Sequence, residues 1–327
     1  MGPLTLQIPK ALLQLAGKTL LEWSIDRLHQ AGCTNVIVAA GWKHNLVERA
    51  VSRLDYSFPV HTIRVPMYER GALQTFVTAA KIVHNNINIL HPVDLVTSSS
   101  VVKSVISAHP RDNPFAITLL IDYSALSGSD VVVDSNDHIL SIRSESTTAS
   151  RKAKSAMLLA FSSGFPAYCE EVLSKGDTTV FSALNSLIIR QESVFTHLIN
   201  EQWYDVDTIT DALKANRYLL ETNVESGSES IFISSGDVMK VDDSVLLSSG
   251  ISLASGVALK GPCLIQRNSQ ISENCTIGPN ASIGESTIIH SNSIIRDVSI
   301  FGASVIPANS KINNALIYES TIYLEEV

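Results

Sequence analysis

Residues 265–289 read IQRNSQ ISENCT IGPNAS IGESTI I, with an isoleucine opening every block of six. Worked outward, the same register holds Val241, Leu247, Leu253 and Leu259 before it, and Ile295, Phe301 and Pro307 after it, only the last lacking aliphatic or aromatic character. A helix repeats its buried face about every 3.6 residues and a strand about every 2, so a period of six belongs to neither. A second row, two places earlier in each block, is small or apolar: Ile251, Val257, Cys263, Ser269, Cys275, Ala281, Thr287, Ser293, Ser299 and Val305. Both rows are expected to point inward. A short strand with two inward residues and a turn fills six positions, so three blocks close a triangular coil and residues three blocks apart stack in ladders. Asn268, Asn274, Gly278, Asn280, Gly284, Asn292 and Gly302 stand near the block boundaries, where residues that tolerate positive φ turn the corners. The stretch from Val241 to about Lys311 is therefore a β-solenoid.

The chain has 327 residues, more than one compact core usually organises, so two domains are expected. The pattern places an α/β domain at 1–225, and a linker with the repeat at 226–327. The net charge is −8 and the densest basic run is Arg151-Lys152-Ala153-Lys154. That balance argues against nucleic acid or an anionic membrane surface as partner and leaves small phosphorylated ligands open. Cys33, Cys169, Cys263 and Cys275 lack ligand spacing and read as reduced packing residues. With neither a signal-peptide pattern nor an apolar run of spanning length, the expected location is cytoplasmic.

Helix-like and strand-like stretches alternate through the first 220 residues. Leu20, Leu21, Ser24, Ile25 and Leu28 form a helical stripe before the apolar run Val36-Ile37-Val38-Ala39-Ala40. A helix is expected near Asn45 to Arg53, a strand near Val60 to Val65, a helix from Gly71 to about His84, and a strand from Ile87 to Leu90. Such a βα rhythm predicts parallel pairing. Ligands of open α/β sheets bind beyond the carboxyl ends of strands, which singles out residues just after apolar runs. Asp94 is one, reached from Leu90 through His91-Pro92-Val93 and followed by Ser98-Ser99-Ser100, a candidate helix start. Another lies in Trp203-Tyr204-Asp205-Val206-Asp207-Thr208, before a helix from Thr208 to Leu220 that Thr208 and Asp211 would open as a capping pair. Read from the sequence alone, Asp94 is equally a cap for the next helix, and Asp205 or Asp207 equally a charge facing a helix dipole.

These landmarks resemble the sugar-phosphate nucleotidyltransferases, over essentially all of residues 3 to 222. Pro3-Leu4-Thr5 with Pro9-Lys10-Ala11-Leu12-Leu13 looks like the end of the family signature, and Leu15-Ala16-Gly17-Lys18-Thr19-Leu20-Leu21 like the helix entry that follows it. Ala31 to Val38 resembles the family's second strand, Asp94 its metal-binding aspartate, and Trp203 to Thr208 its late tryptophan-aspartate motif. The repeat resembles the hexapeptide left-handed β-helix that many members carry at the C-terminus.

The resemblance implies a Rossmann-like domain with a mostly parallel sheet, lacking its first strand, followed by that left-handed β-helix. The implied reaction joins a sugar 1-phosphate to a nucleoside triphosphate, UTP or dTTP favoured, with release of pyrophosphate. Two anions must meet, so positive charge and Mg2+ do most of the work. Asp94 and Asp205 are the implied metal ligands, and Asp207 a possible third, standing where many relatives have glycine. Lys10 matches the catalytic lysine on the phosphates. Gly71 and Gln74, in Gly71-Ala72-Leu73-Gln74, match the turn that reads the base, the glutamine facing a pyrimidine edge.

The sequence departs from the pattern twice. It opens at Met1-Gly2-Pro3, without the glycine-rich phosphate loop upstream of Pro3-Leu4-Thr5, and losing that loop is expected to cost orders of magnitude in rate. After Asp137-His138-Ile139-Leu140-Ser141-Ile142 comes Arg143-Ser144-Glu145-Ser146, where relatives carry a glutamate-lysine-proline that grips the sugar phosphate. Arg143, Lys152 or Lys154 would have to substitute. Two further readings therefore stay open: a catalytically inactive regulatory or scaffold homologue, and a polyol-phosphate cytidylyltransferase, which Asp205-Val206-Asp207-Thr208 also resembles. His290 raises acyl transfer by the repeat, although a histidine on an outward turn is ordinarily only solvated. The tail is expected to serve assembly or regulation, the chain forming a homo-oligomer.

Overall fold

The structure is a computed structural model and describes residues 1–83, 87–143, 150–190, 193–225, 238–242 and 244–325. Packing divides the chain into two compact units, one of Ser24–Asp205 and one of Met1–Trp23 with Val206–Val327. Among the described residues, no helix is long and apolar enough to cross a membrane.

In the unit Ser24–Asp205 the strands Val36–Ala40 and Val60–Arg64 pair in parallel, with the helix His44–Ser52 between them in sequence. The largest sheet of this unit runs Val194–Leu198, Ile117–Ile121, Leu159–Ser162, Ile87–Leu90. All five residues of Ile117–Ile121 and all four of Leu159–Ser162 are buried, as expected for strands covered on both faces. Val194–Leu198 is parallel to Ile117–Ile121, but Leu159–Ser162 is antiparallel to both its neighbours. The sheet is therefore mixed rather than following the parallel rhythm throughout. Phe76, Phe161 and Phe165 meet beside it at centroid distances of 5.2 to 5.9 Å. Ser98 opens the helix Ser99–Ala108 by accepting from the Val101 N–H, and Thr179 does the same for Val180–Ile189. The helix expected from Gly71 to His84 spans Ala72–Ala80, and His84 lies outside the described residues.

The second unit contains the solenoid, the helix Ile209–Glu225 and the N-terminal segment. Its packing gathers the first 23 residues and that helix with the repeat. Early coils hold three blocks: Val245 pairs with Cys263, Ser252 with Gln270 and Ala258 with Thr276, each 18 residues on. Later partners, Ala281 with Val298, Ile288 with Val305 and Ile294 with Lys311, are 17 apart. One corner has lost a residue. Gly278, Pro279 and Asn280 separate Ile277 from Ala281, but only Arg296 and Asp297 separate Ile295 from Val298, and only Asn313 and Asn314 separate Ile312 from Ala315.

The slip corrects the end of both inward rows. After Ile295 the ladder continues through Ile300, Ile306, Ile312 and Ile317, past the expected end near Lys311. Phe301 is buried outside the ladder against Tyr318, and Pro307 is exposed. Val298 and Ser304 replace Ser299 and Val305 in the second row, so Val305 stands 43% exposed. Leu253, expected inside, is 41% exposed: its strand lies at the edge of its sheet, stacked on one side only among the described residues. Asn268, Asn274, Asn280 and Asn292 turn the corners at φ between 57° and 62°. Gly284 has no positive φ; a Cβ there would lie 2.6 Å from the Ile300 carbonyl oxygen.

Candidate functional site

In the unit Ser24–Asp205, the chain leaves the carboxyl end of Ile87–Leu90 and turns at Pro92, whose carbonyl accepts from the Leu95 N–H at 3.2 Å. Asp94 follows, and Leu95–Val96 pairs antiparallel with Tyr204–Asp205, Leu95 facing Asp205. Two sequence-distant aspartates are thus brought side by side. Both are half-buried, and each turns a carboxylate oxygen to within 4.8 Å of the other. Beside them, burial pushes the His91 imidazole down to about 4, against the upward pull of the Pro92 carbonyl and Asp94. Its Nδ1–H donates to the Pro92 carbonyl at 2.7 Å.

The strand that carries Asp205 is braced by Asp122, a residue the sequence reading passed over. Asp122 is buried, and its Oδ2 accepts from the Trp203 indole N–H at 2.9 Å. Its Oδ1 accepts from the Ser124 N–H and Oγ, both at 2.7 Å. Against the Trp203 ring lies Gly128 at φ 97°, where a Cβ would stand 2.6 Å from Cη2. Asp122 follows the apolar run Ile117–Ile121, so the rule that singled out Asp94 also reaches it.

Gly71 has φ 106°, and a Cβ there would lie 2.5 Å from the Thr178 carbonyl oxygen. That oxygen accepts from the Leu73 N–H at 3.0 Å. The glycine therefore has a packing reason within its own unit. Gln74 is buried and donates Nε2 to Thr78 Oγ1 at 3.1 Å. Of the cations considered for a sugar phosphate, Arg143 donates to Ser129 Oγ and lies 4.3 Å over the Phe181 ring. Lys154 is paired with Asp130 at 2.9 Å, and Lys152 is exposed. Ser144, Glu145 and Ser146 lie outside the described residues.

In the other unit, Lys10 opens the turn Lys10–Leu12, and its ammonium meets Asp207 at 2.7 Å. Asp207 stands just ahead of the cap of Ile209–Glu225. Thr208 and Asp211 form the expected capping pair: Asp211 Oδ2 accepts from the Thr208 N–H and Oγ1, and Thr208 Oγ1 accepts from the Asp211 N–H. His290 is exposed, its carbonyl accepting from Ser293 Oγ at 2.8 Å. All four cysteines are free, and burial pushes the thiols of Cys33 and Cys169 up.

Comparison with known proteins gives two family matches. Residues 1–133 match the MobA-like NTP transferase domain and residues 259–322 the GMPPB C-terminal domain. A 51-residue stretch is 43% identical to an N-acetylmuramate alpha-1-phosphate uridylyltransferase from Neisseria meningitidis serogroup B, covering 16% of this chain and 22% of that protein. The match thus spans about a fifth of that relative's length. Among solved structures, the inositol-1-phosphate CTP transferase from T. maritima superposes with a TM-score of 0.58 at 16% identity, covering 70% of this chain and 93% of the other. At that identity the likeness speaks for the fold alone.

Proposed function

We propose that this chain, which belongs with the sugar-phosphate nucleotidyltransferases bearing a C-terminal β-solenoid, joins a sugar 1-phosphate to a pyrimidine nucleoside triphosphate and releases pyrophosphate. The observation that carries the reading is the approach of the Asp94 and Asp205 carboxylates to within 4.8 Å, beyond the carboxyl end of a strand. Two carboxylates this close favour a cation between them. A pair of carboxylates completed by phosphate oxygens and water is the donor set that Mg2+ takes. The residues present therefore fit that ion, which when bound would neutralise triphosphate charge and polarise the α-phosphoryl group.

The remaining work is positioning. The Asp122–Trp203 hydrogen bond holds the strand of Asp205. Lys10 offers its ammonium to the phosphates in exchange for Asp207. An oxygen of the sugar phosphate attacks the α-phosphorus, the bond to the bridging oxygen breaks, and pyrophosphate leaves in line with the electron pair. Gly71 and Gln74 form the base side of the site. With one Nε2 hydrogen given to Thr78, Gln74 retains a carbonyl acceptor and a second N–H donor for a pyrimidine edge. UTP or dTTP is the favoured nucleotide, in keeping with the uridylyltransferase relative. A second reading, CTP with a polyol phosphate, is favoured by the T. maritima neighbour.

A panel of UTP, dTTP and CTP against sugar 1-phosphates and inositol 1-phosphate, with and without Mg2+, tests the proposal by pyrophosphate release. Turnover should require Mg2+ and fall about 100-fold or more in Asp94→Ala and Asp205→Ala. Release from no pair of substrates would leave the inactive scaffold as the better reading. Unchanged rates in both variants would remove the metal assignment.

A further inference from the structure

The face of the solenoid built from Val245–Ser248, Cys263–Ile265, Ala281–Ile283, Ile294–Phe301 and Lys311–Tyr318 is buried on both sides. Its inner residues form the ladder, but the outward Leu246, Leu264, Ser282, Ser299 and Leu316 are also at most 4% exposed. Elsewhere on the solenoid, outward positions such as Ser252, Gln270 and Val305 face solvent. What covers the face is in the same unit: the hairpin Gln14–Leu15 with Lys18–Thr19, and the helix Ile209–Glu225.

The polar contacts across this face are specific. Asn216, fully buried, accepts from the Ala16 N–H at 2.8 Å and directs Nδ2 to the carbonyls of Asn280 and Val298, on successive coils, at 3.3 and 3.4 Å. Gln266 Nε2 donates to the Gly17 carbonyl at 3.0 Å, and Ser299 Oγ to the Gln14 carbonyl at 2.7 Å. The hairpin turns on Ala16 and Gly17, at φ 45° and 86°. A left-handed alanine is disfavoured by itself and persists where its surroundings over-determine it. At Gly17 any Cβ would stand 2.6 Å from Leu264 Cδ2. Lys10 begins the turn that leads into this hairpin, the Leu13 N–H donating to the Lys10 carbonyl. Its partner Asp207 stands at the start of Ile209–Glu225, where the Thr210 N–H donates to Glu325 Oε2 at 2.7 Å.

We propose that the solenoid positions the Lys10–Asp207 pair: it fixes the hairpin that Lys10 leads into and the helix that Asp207 precedes, and Asn216 is the positioning residue that ties both to the coils. The proposal rests on the transferase reading for what Lys10 does, and on the hydrogen bonds above for what holds it.

The test uses the full chain with Asn216→Leu, Ser299→Ala and, as control, Arg267→Ala, which breaks a surface ion pair of the solenoid with Glu285. Hydrogen exchange followed by mass spectrometry should show the peptide spanning residues 13–19 exchanging about tenfold faster or more in Asn216→Leu, and less so in Ser299→Ala, since each leaves buried polar groups unpaired. Arg267→Ala should leave that peptide unchanged. In pyrophosphate release with UTP, kcat/KM should fall in Asn216→Leu. The double variant with Lys10→Met should lose no more than Lys10→Met alone, because the asparagine acts through the lysine. Unchanged exchange in both Asn216→Leu and Ser299→Ala overturns the proposal, and so do fully additive losses in the double variant. Ser299→Ala, which keeps side-chain volume, decides the exchange test if Asn216→Leu does not fold. No turnover in the unaltered chain, with exchange behaving as expected, sinks the transferase reading while leaving the anchoring intact.

Discussion

Replacing Asp94 by asparagine should stabilise the metal-free protein and abolish its response to magnesium. The Asp94 and Asp205 carboxylate oxygens lie within 4.8 Å, and both residues are half-buried. At that distance, with an effective dielectric constant of roughly 40 to 80 for groups partly in water, two like charges repel by about 1–2 kcal/mol. The amide of Asp94→Asn keeps the shape and removes that repulsion, raising the unfolding midpoint by about 2–6 °C. On the proposed metal assignment, magnesium at ten times its dissociation constant should stabilise the unaltered chain by about 1.4 kcal/mol through binding only the folded state, a gain the variant should lack. Thermal unfolding followed by calorimetry, with and without MgCl2, measures both effects. Raising NaCl from about 0.1 to 1 M shortens the screening length from about 10 to 3 Å and should shrink the advantage of Asp94→Asn in the metal-free protein. A lower midpoint for the metal-free variant would show that repulsion does not dominate the pair. A magnesium shift surviving in both Asp94→Asn and Asp205→Asn would place the ion elsewhere.

Asp122→Ala leaves the Trp203 indole N–H and the Ser124 N–H without their buried acceptor; urea unfolding should record a loss of about 3 kcal/mol, and a loss below about 0.5 kcal/mol would refute the bracing role. In the solenoid, Ile306→Ala removes a residue 1% exposed and should cost about 2–4 kcal/mol, whereas Val305→Ala, at 43% exposed, should cost under about 0.5 kcal/mol. The reverse order would restore the unbroken six-residue register. Burial lowers the His109 pKa below its ordinary 6.5, with the ring between Thr118 Oγ1 and Ser162 Oγ. The unfolded chain therefore takes up that proton first as pH falls, so the stability from neutral His109 is complete above about pH 6.5 and is lost toward the lower folded pKa. Between pH 7 and pH 5 the unfolding midpoint should drop more in the unaltered chain than in His109→Gln, and equal drops would contradict the assignment.

Much of the architecture is written in local pattern. An isoleucine every six residues specifies which side chain each short strand buries, so the solenoid is legible from residues 265–289 alone. Helix starts are equally local, since Thr208 and Asp211 need only be three residues apart to cap each other. The family resemblance singled out Asp94 and Asp205, each of which the sequence alone reads equally as a helix cap or dipole charge, and only the antiparallel contact of Leu95 with Asp205 brings the carboxylates together. What the sequence left open depends on contacts that have no local signature. The shortened corner at Arg296-Asp297 shows itself only in which residues stack: the composition of the row barely changes when Ile300 takes the place of Phe301. Leu159–Ser162 runs antiparallel because of the path the chain takes around it, and its apolar run reads the same in either direction. Asp122 with Trp203, Lys10 with Asp207 and Asn216 with Ala16 are each separated by 81 residues or more. Each has an ordinary side chain at its own position. Burial removes water as the competing partner, and that is a property of the assembled tertiary structure: it makes Asn216 a fastening of the N-terminal hairpin to the coils, where the sequence by itself determined only that a helix and a solenoid would exist.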